Sequence, residues 1–233
     1  VFEYIYFARP DSVVDGASVA FARQEAGRYL AEEYPVDADV VVGVPDSGIP
    51  AAIGYSKASG IPYDVGLIKN KYIGRTFIQP GQDKRERSVR IKLNALRNNL
   101  EGKRVILVDD SIVRGTQLGE TVEFLYSTHA KEVHMRSACP PIMYGCKYLN
   151  FTSKSSEDDL LARRIIHELE GLQGDAYLEE YADASTERGQ CMLKRICEKL
   201  GFASLGFQSL DGLLEAIGLP KEKVCTYCWN GKE

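Results

Sequence analysis

Residues 105–116 read VILVDDSIVRGT. The four aliphatic residues Val105–Val108 run straight into two adjacent carboxylates, Asp109 and Asp110, and then into Ser111, Arg114 and the pair Gly115-Thr116. An apolar run bounded by turn residues is the pattern of a strand buried on both faces. Residues 111–116 have the composition of a tight loop opening a helix, where backbone N–H groups can grip an anion. One short span therefore supplies acids for hydroxyls or a metal, and amides for a phosphate. A chain carrying it is constrained to an α/β fold with its site at a strand end.

The rest of the chain supports that frame. The pattern predicts strands at Glu3–Ala8, Asp39–Val44, Tyr63–Ile68, Arg104–Val108 and Glu132–Arg136. It predicts helices at Ser18–Glu33, Pro50–Ser59, Val89–Leu100 (with a basic face) and Leu118–Thr128. Such alternation implies a parallel sheet with helices on both faces. Ligands of these sheets bind beyond the carboxyl ends of strands, where Val44–Ser47 and Asp109–Thr116 both fall. Tyr72–Arg87 lacks apolar periodicity and carries Gly74, Pro80 and Gly81, which reads as a long loop of the kind that serves as a lid. After Asn150 the character changes: a charged helix at Ser155–Gly171, a loop or weak helix at Asp175–Arg188, helices at Gln190–Leu200 and Gly212–Ile217, and an irregular tail at Pro220–Glu233. The expected division is a core over 1–150 and a C-terminal extension over 151–233.

These motifs carry a resemblance. VILVDDSIVRGT resembles the phosphoribosyl pyrophosphate (PRPP) motif of type I phosphoribosyltransferases. VVGVPDSGIPAAIGYSKASGIPY (Val41–Tyr63), GLIKNKYIGRTFIQP (Gly66–Pro80) and FEYIYFARPDS (Phe2–Ser12) look like the synthase half of the glutamine PRPP amidotransferase family. The likeness is strong to about Phe151, then patchier, returning at Ser204–Gly218 and Cys225–Cys228. It implies a type I phosphoribosyltransferase fold, and a parent enzyme that converts glutamine, PRPP and water to 5-phosphoribosylamine, pyrophosphate and glutamate, opening purine synthesis. It also implies inhibition by purine nucleotides and a homo-oligomer. Because the chain begins with Val and enters a strand-like segment at once, a glutaminase domain is expected upstream, leaving this chain the ammonia-dependent half-reaction. A non-catalytic PRPP or nucleotide sensor, and a salvage phosphoribosyltransferase, are the competing readings. The intact loop motif Arg75–Pro80 favours the enzyme over the sensor. The salvage reading would need a base-binding hood, for which the sequence shows no sign.

The resemblance assigns roles residue by residue. Asp109 and Asp110 orient the ribose hydroxyls and join a Mg²⁺ site with Ser47. Ser111, Ile112, Val113, Arg114, Gly115 and Thr116 bind the 5-phosphate. Asp46 and Ser47 belong to the pyrophosphate loop. Lys69, Lys71, Arg75 and Thr76 lie in or beside the loop that closes over PRPP; Lys71 stands where many relatives carry Arg, which keeps the charge and loses bidentate geometry. Mg²⁺ takes oxygen ligands and retains waters, so one or two carboxylates and phosphate oxygens suffice. No general base is required, since ammonia is already nucleophilic. His129, His134 and His167 fall outside the motifs and read as surface or packing residues.

Charge and cysteines bound the remainder. A net charge of −4 makes no case for nucleic acid or membrane binding. Yet eleven Lys or Arg face three acids between Lys69 and Arg104, either a solvated face or a cationic cover for an anionic substrate. Six cysteines without secretory features argue for a reducing, cytoplasmic setting. By resemblance, Cys146, Cys225 and Cys228 match three ligands of a [4Fe–4S] cluster, with the fourth expected just upstream of Val1. Such clusters usually take four thiolates. Zinc and a redox CxxC compete for the same residues. Cys139, Cys191 and Cys197 read as packed side chains.

Overall fold

The computed structural model describes residues 1–69, 93–146, 148 and 159–232. The chain opens with a π-helical turn, Glu3–Phe7, and a two-residue hairpin, β1 (Val13–Val14) and β2 (Ala17–Ser18). Asp15 and Gly16 both have positive φ there, the requirement of a turn that matches strand twist. Ser18 then caps α1 (Val19–Glu33), accepting from Phe21 N. Next along the chain are β3 (Val40–Gly43), α2 (Ile49–Ser59), β4 (Leu67–Lys69), β5 (Leu93–Ala95), α3 (Arg97–Leu100), β6 (Arg104–Asp109), α4 (Thr116–Ser127) and β7 (Glu132–Ser137). The C-terminal part adds α5 (Leu161–Glu170), α6 (Leu178–Ala182), α7 (Glu187–Leu200), β8 (Ser204–Phe207), α8 (Leu210–Ile217) and α9 (Tyr227–Asn230).

The main sheet has the order β3-β6-β7-β8, all parallel. Val40, Val42, Val105, Leu107, Val133 and Met135 enter one apolar cluster with α4, α5 and α7. Val41, Ile106 and Val108 alternate to the other face, against α1, α2 and α8. Both faces are covered, which is why these strands read as continuous aliphatic runs rather than alternating ones.

Three expectations change. Glu3–Ala8 is helical, not a strand. Tyr4 and Ile5 are consecutive and both buried, which a strand would send to opposite faces, and Ala8 N bonds Glu3 O at 2.9 Å across the turn. Of the Val89–Leu100 segment, residues 89–92 lie outside the described residues; residues 93–95 are a strand paired antiparallel with Leu67–Lys69, and Arg97–Leu100 is helical. Cross-strand pairing has there overridden a helix-like pattern. The Pro220–Glu233 tail holds a 3₁₀ turn, Lys221–Lys223, and α9, whose Trp229 is buried and stacks on Phe2 at 5.9 Å between ring centroids. The change of sequence character near residue 150 is not a break in the core: β8 hydrogen-bonds to β7, and α8 packs on α1.

Candidate functional site

Two loops meet at the carboxyl edge of the sheet. The first, 44–48, leaves β3. Val44 N donates to Val108 O at 2.9 Å, and Gly48 N donates back to Val44 O at 2.9 Å. Gly48 lies against β6 closely enough that a Cβ there would stand 3.0 Å from Asp109 Cα. A cis peptide joins Pro45 to Asp46. Asp46 is exposed and accepts from Lys69 Nζ at 2.7 Å, so β4 delivers its terminal lysine to this loop.

The second loop leaves β6. Asp109 ends the strand; its Oδ1 accepts from Asp110 N at 2.9 Å, and its carbonyl accepts from Ala138 N at 2.9 Å, tying it to the end of β7. Asp110 is 7% exposed. Its carboxylate takes the Ser111 hydroxyl, and Ser47 of the first loop lines the same small cavity as Asp110. Burial pushes the Asp109 carboxyl well above the usual range, with the Asp110 charge adding to it. Burial likewise raises Asp110, while the hydroxyls of Ser111 and Ser47 and the charge of Arg23 pull the other way. Two adjacent acids at a strand end, Asp110 buried and Asp109 partly so, are poised to take a cation or donated hydroxyls.

Beyond them the chain turns into α4. Ile112 is buried and Val113 packs partly against the core, so these two offer a ligand their backbone. Val113 O accepts from Leu161 N at 2.8 Å, and Arg114 pairs with Asp159 at 3.7 Å on the surface. Gly115 is the N-cap, with φ of 75°, and no side chain caps the helix. The first-turn amides of α4, beginning at Thr116, are the kind of uncapped donors that bind anions. Lys71, Arg75 and Thr76 lie outside the described residues, as does most of the basic cluster. Sequence reasoning missed Arg23, a buried cation near Asp110; its only signal was a charged residue on the apolar side of an amphipathic helix.

The cysteines occupy a separate corner. Burial first, and the neighbouring Cys146 and Cys225 next, push the Cys228 thiol up to about 12. Met143 N and Tyr144 N both bond Cys228 O, pinning the segment before Cys146 to α9. Among the described residues no three His, Cys, Asp or Glu close into a metal site.

A parallel sheet with paired acids and an uncapped helix start at its carboxyl edge defines an α/β protein built for a phosphorylated, hydroxyl-bearing ligand. The chain belongs to the phosphoribosyl transferase domain family, whose model matches residues 17–140. It is 51% identical over 234 residues to an amidophosphoribosyltransferase of Archaeoglobus fulgidus, covering 100% of this chain and 45% of that protein. To the amidophosphoribosyltransferase of Methanothermobacter thermautotrophicus it is 45% identical, covering 99% of this chain and 43% of the relative. The solved glutamine PRPP amidotransferase of B. subtilis, complexed with ADP and GMP, superposes with a TM-score of 0.77 at 45% identity, over 99% of this chain and 46% of that one. The fold is thus the type I phosphoribosyltransferase fold, as the motifs implied, and the chain spans less than half the length of these relatives. Among the described residues no helix is long and apolar enough to cross a membrane.

Proposed function

We propose that this chain is the synthase part of an amidophosphoribosyltransferase. In it ammonia attacks C1 of PRPP: the nitrogen lone pair forms the C1–N bond, the C1–O bond breaks with its electrons leaving on pyrophosphate, and a proton passes to water. The product is 5-phosphoribosylamine, from which purine synthesis proceeds. The observation that carries this reading is the meeting of Asp109, Asp110 and Ser47 beside the uncapped start of α4. Those groups match a ribose diol flanked by a phosphate at one end and a pyrophosphate at the other. Relatives named for this activity at 44–51% identity support it.

The residues divide the work. The amides and hydroxyls of Ser111–Thr116 hold the 5-phosphate, and the α4 dipole favours its charge. Asp109 and Asp110 hold the ribose hydroxyls and lower the energy of positive charge growing at C1. Lys69 and the 44–48 loop face the pyrophosphate. Lys71, Arg75 and Thr76 are assigned to closure over PRPP on sequence alone. The donors Asp109, Asp110 and Ser47 are all oxygen and suit Mg²⁺, with the remaining positions left to water and phosphate. When bound, Mg²⁺ supplies charge stabilisation to the leaving pyrophosphate. A glutaminase domain in the longer protein would furnish the ammonia, purine nucleotides would inhibit it, and copies would associate.

Cys146, Cys225 and Cys228 are assigned to part of a [4Fe–4S] set, or alternatively to zinc, on sequence resemblance alone; among the described residues the three do not close into a metal site. Iron, acid-labile sulfide and zinc analysis of anaerobically purified full-length protein, beside a Cys228→Ser variant, decides among cluster, zinc and neither. For the activity, Mg²⁺-dependent pyrophosphate release from PRPP is measured with and without an ammonium salt at alkaline pH. Release that requires ammonia, with phosphoribosylamine trapped, is the expected result. PRPP binding without release would overturn it in favour of a sensor.

A further inference from the structure

Arg23 and Asp110 are 6% and 7% exposed, and both line one small cavity behind the acid pair, together with Tyr4, Ser47 and Ala138. Arg23 comes from α1. Its Nε donates to Tyr4 O at 2.6 Å and its Nη2 to Ala8 O at 2.9 Å. Both acceptors are neutral carbonyls of the N-terminal π-helical turn and the residue that closes it. Among the described residues, Arg23 makes no ion pair, and neither does Asp110. A buried cation and a buried acid are each costly alone. Across a cavity walled by Ala22, Ala26, Ala51 and Ile217, their attraction is weakly screened.

We infer that Arg23 is a positioning residue for the reaction: pinned by the carbonyls of Tyr4 and Ala8, it fixes the Asp110 carboxylate from behind while Ser47 and Ser111 fix it from the loops. This rests on the function proposed above. It makes turnover depend on a side chain that touches no substrate, and joins the 2–8 segment to the acid pair. The aromatic turn FEYIYF then has a role beyond filling space, since it holds the cation in place.

The test is a double-mutant cycle in the full-length protein, with Arg23→Gln, Asp110→Asn and the double variant. Ammonia-dependent pyrophosphate release, PRPP-binding stoichiometry and thermal midpoint are measured on each. Arg23→Gln should lower kcat at least tenfold while the fraction of molecules that bind PRPP stays near wild type. In the Asp110→Asn background the same change should cost less than twofold, because the residue it acts through is gone. Arg23→Lys, which keeps the charge, should recover part of the loss. Independent, multiplicative losses would overturn the inference, as would wild-type turnover in Arg23→Gln. If Arg23→Gln does not fold, Arg23→Lys carries the cycle: a smaller loss of kcat that disappears in the Asp110→Asn background is the expected result, and a loss that multiplies with that of Asp110→Asn overturns the inference. An inactive wild type would instead count against the proposed function and is read separately.

Discussion

A Cβ placed on Gly48 would stand 2.4 Å from the carbonyl oxygen of Val108. The 44–48 loop therefore rests on the backbone of β6 at the last turn before the acid pair, with no room for a side chain between. This contact sets the spacing of Ser47 to Asp110, and so the spacing of the two halves of the site. Gly48→Ala forces either loop or strand to shift. Misplacement by an ångström costs reactions that depend on geometry about two orders of magnitude. The variant is expected to stay folded and to lose at least tenfold in ammonia-dependent turnover, with weakened PRPP binding by calorimetry. Unchanged PRPP affinity and turnover would show that the contact is tolerant.

The acid pair and the α4 start were legible because their chemistry is local: DDSIVRGT puts every group within eight consecutive residues. The parts that were not legible depend on partners far along the chain. SLGF at 204–207 gives little strand signal, and Gly206 is required there because the Tyr34 ring fills the space of its side chain, a Cβ falling 2.5 Å from Tyr34 Cγ. EYIYF is an unbroken run of aromatic and β-branched residues after Glu3, a composition typical of strands, yet the segment turns so that the carbonyls of Tyr4 and Ala8 both reach Arg23 on α1. Arg23 itself could be named only once its distance from Asp110 in sequence was seen to close in space.

Asp110→Asn keeps the shape of the side chain and removes the charge that the proposed mechanism sets near C1. Thr116→Val keeps volume and removes a hydroxyl at the first turn of α4. Each should lower kcat/KM at least tenfold, about 1.4 kcal/mol in barrier. Their signatures should differ: Asp110→Asn falls mainly in kcat, while Thr116→Val raises KM for PRPP, since the 5-phosphate is held equally in ground and transition states. Steady-state kinetics over PRPP concentration separates them, and identical signatures would remove the division of labour.

The α1–α2 crossing is backbone against backbone. A Cβ on Gly27 would fall 1.9 Å from Ala51 O, and one on Gly54 would fall 1.9 Å from Gln24 O. Both helices flank the site, α1 carrying Arg23 and α2 coming directly after the 44–48 loop. Gly27→Ala gains helix propensity, worth about 1 kcal/mol, but must push the helices apart, at about 1–3 kcal/mol for overpacking. The balance predicts a lowered thermal midpoint for either glycine-to-alanine change. A raised midpoint would mean the crossing relaxes without strain.

His134 gives the fold a dependence on pH that is separate from catalysis. It sits on β7 with Nδ1 2.9 Å from Ser204 Oγ on β8, and Nε2 3.2 Å from Glu132 Oε2. Burial and then the Arg136 charge hold its imidazole below the ordinary value of 6.5, and Glu132 offsets them only in part. Well above pH 6.5 the ring is neutral both folded and unfolded, and contributes nothing to the slope. As pH falls below 6.5 the unfolded chain takes up a proton that the folded chain does not, so stability declines until the folded ring titrates too. Glu132 and other acids add their own slopes, so the measurement is a difference: urea midpoints from pH 7.5 to 5 for wild type and His134→Gln, a neutral side chain able to bond both partners. The wild-type curve should fall more steeply than the variant's below pH 6.5 and run parallel to it above. Parallel curves throughout would mean that His134 protonates as readily in the sheet as in water.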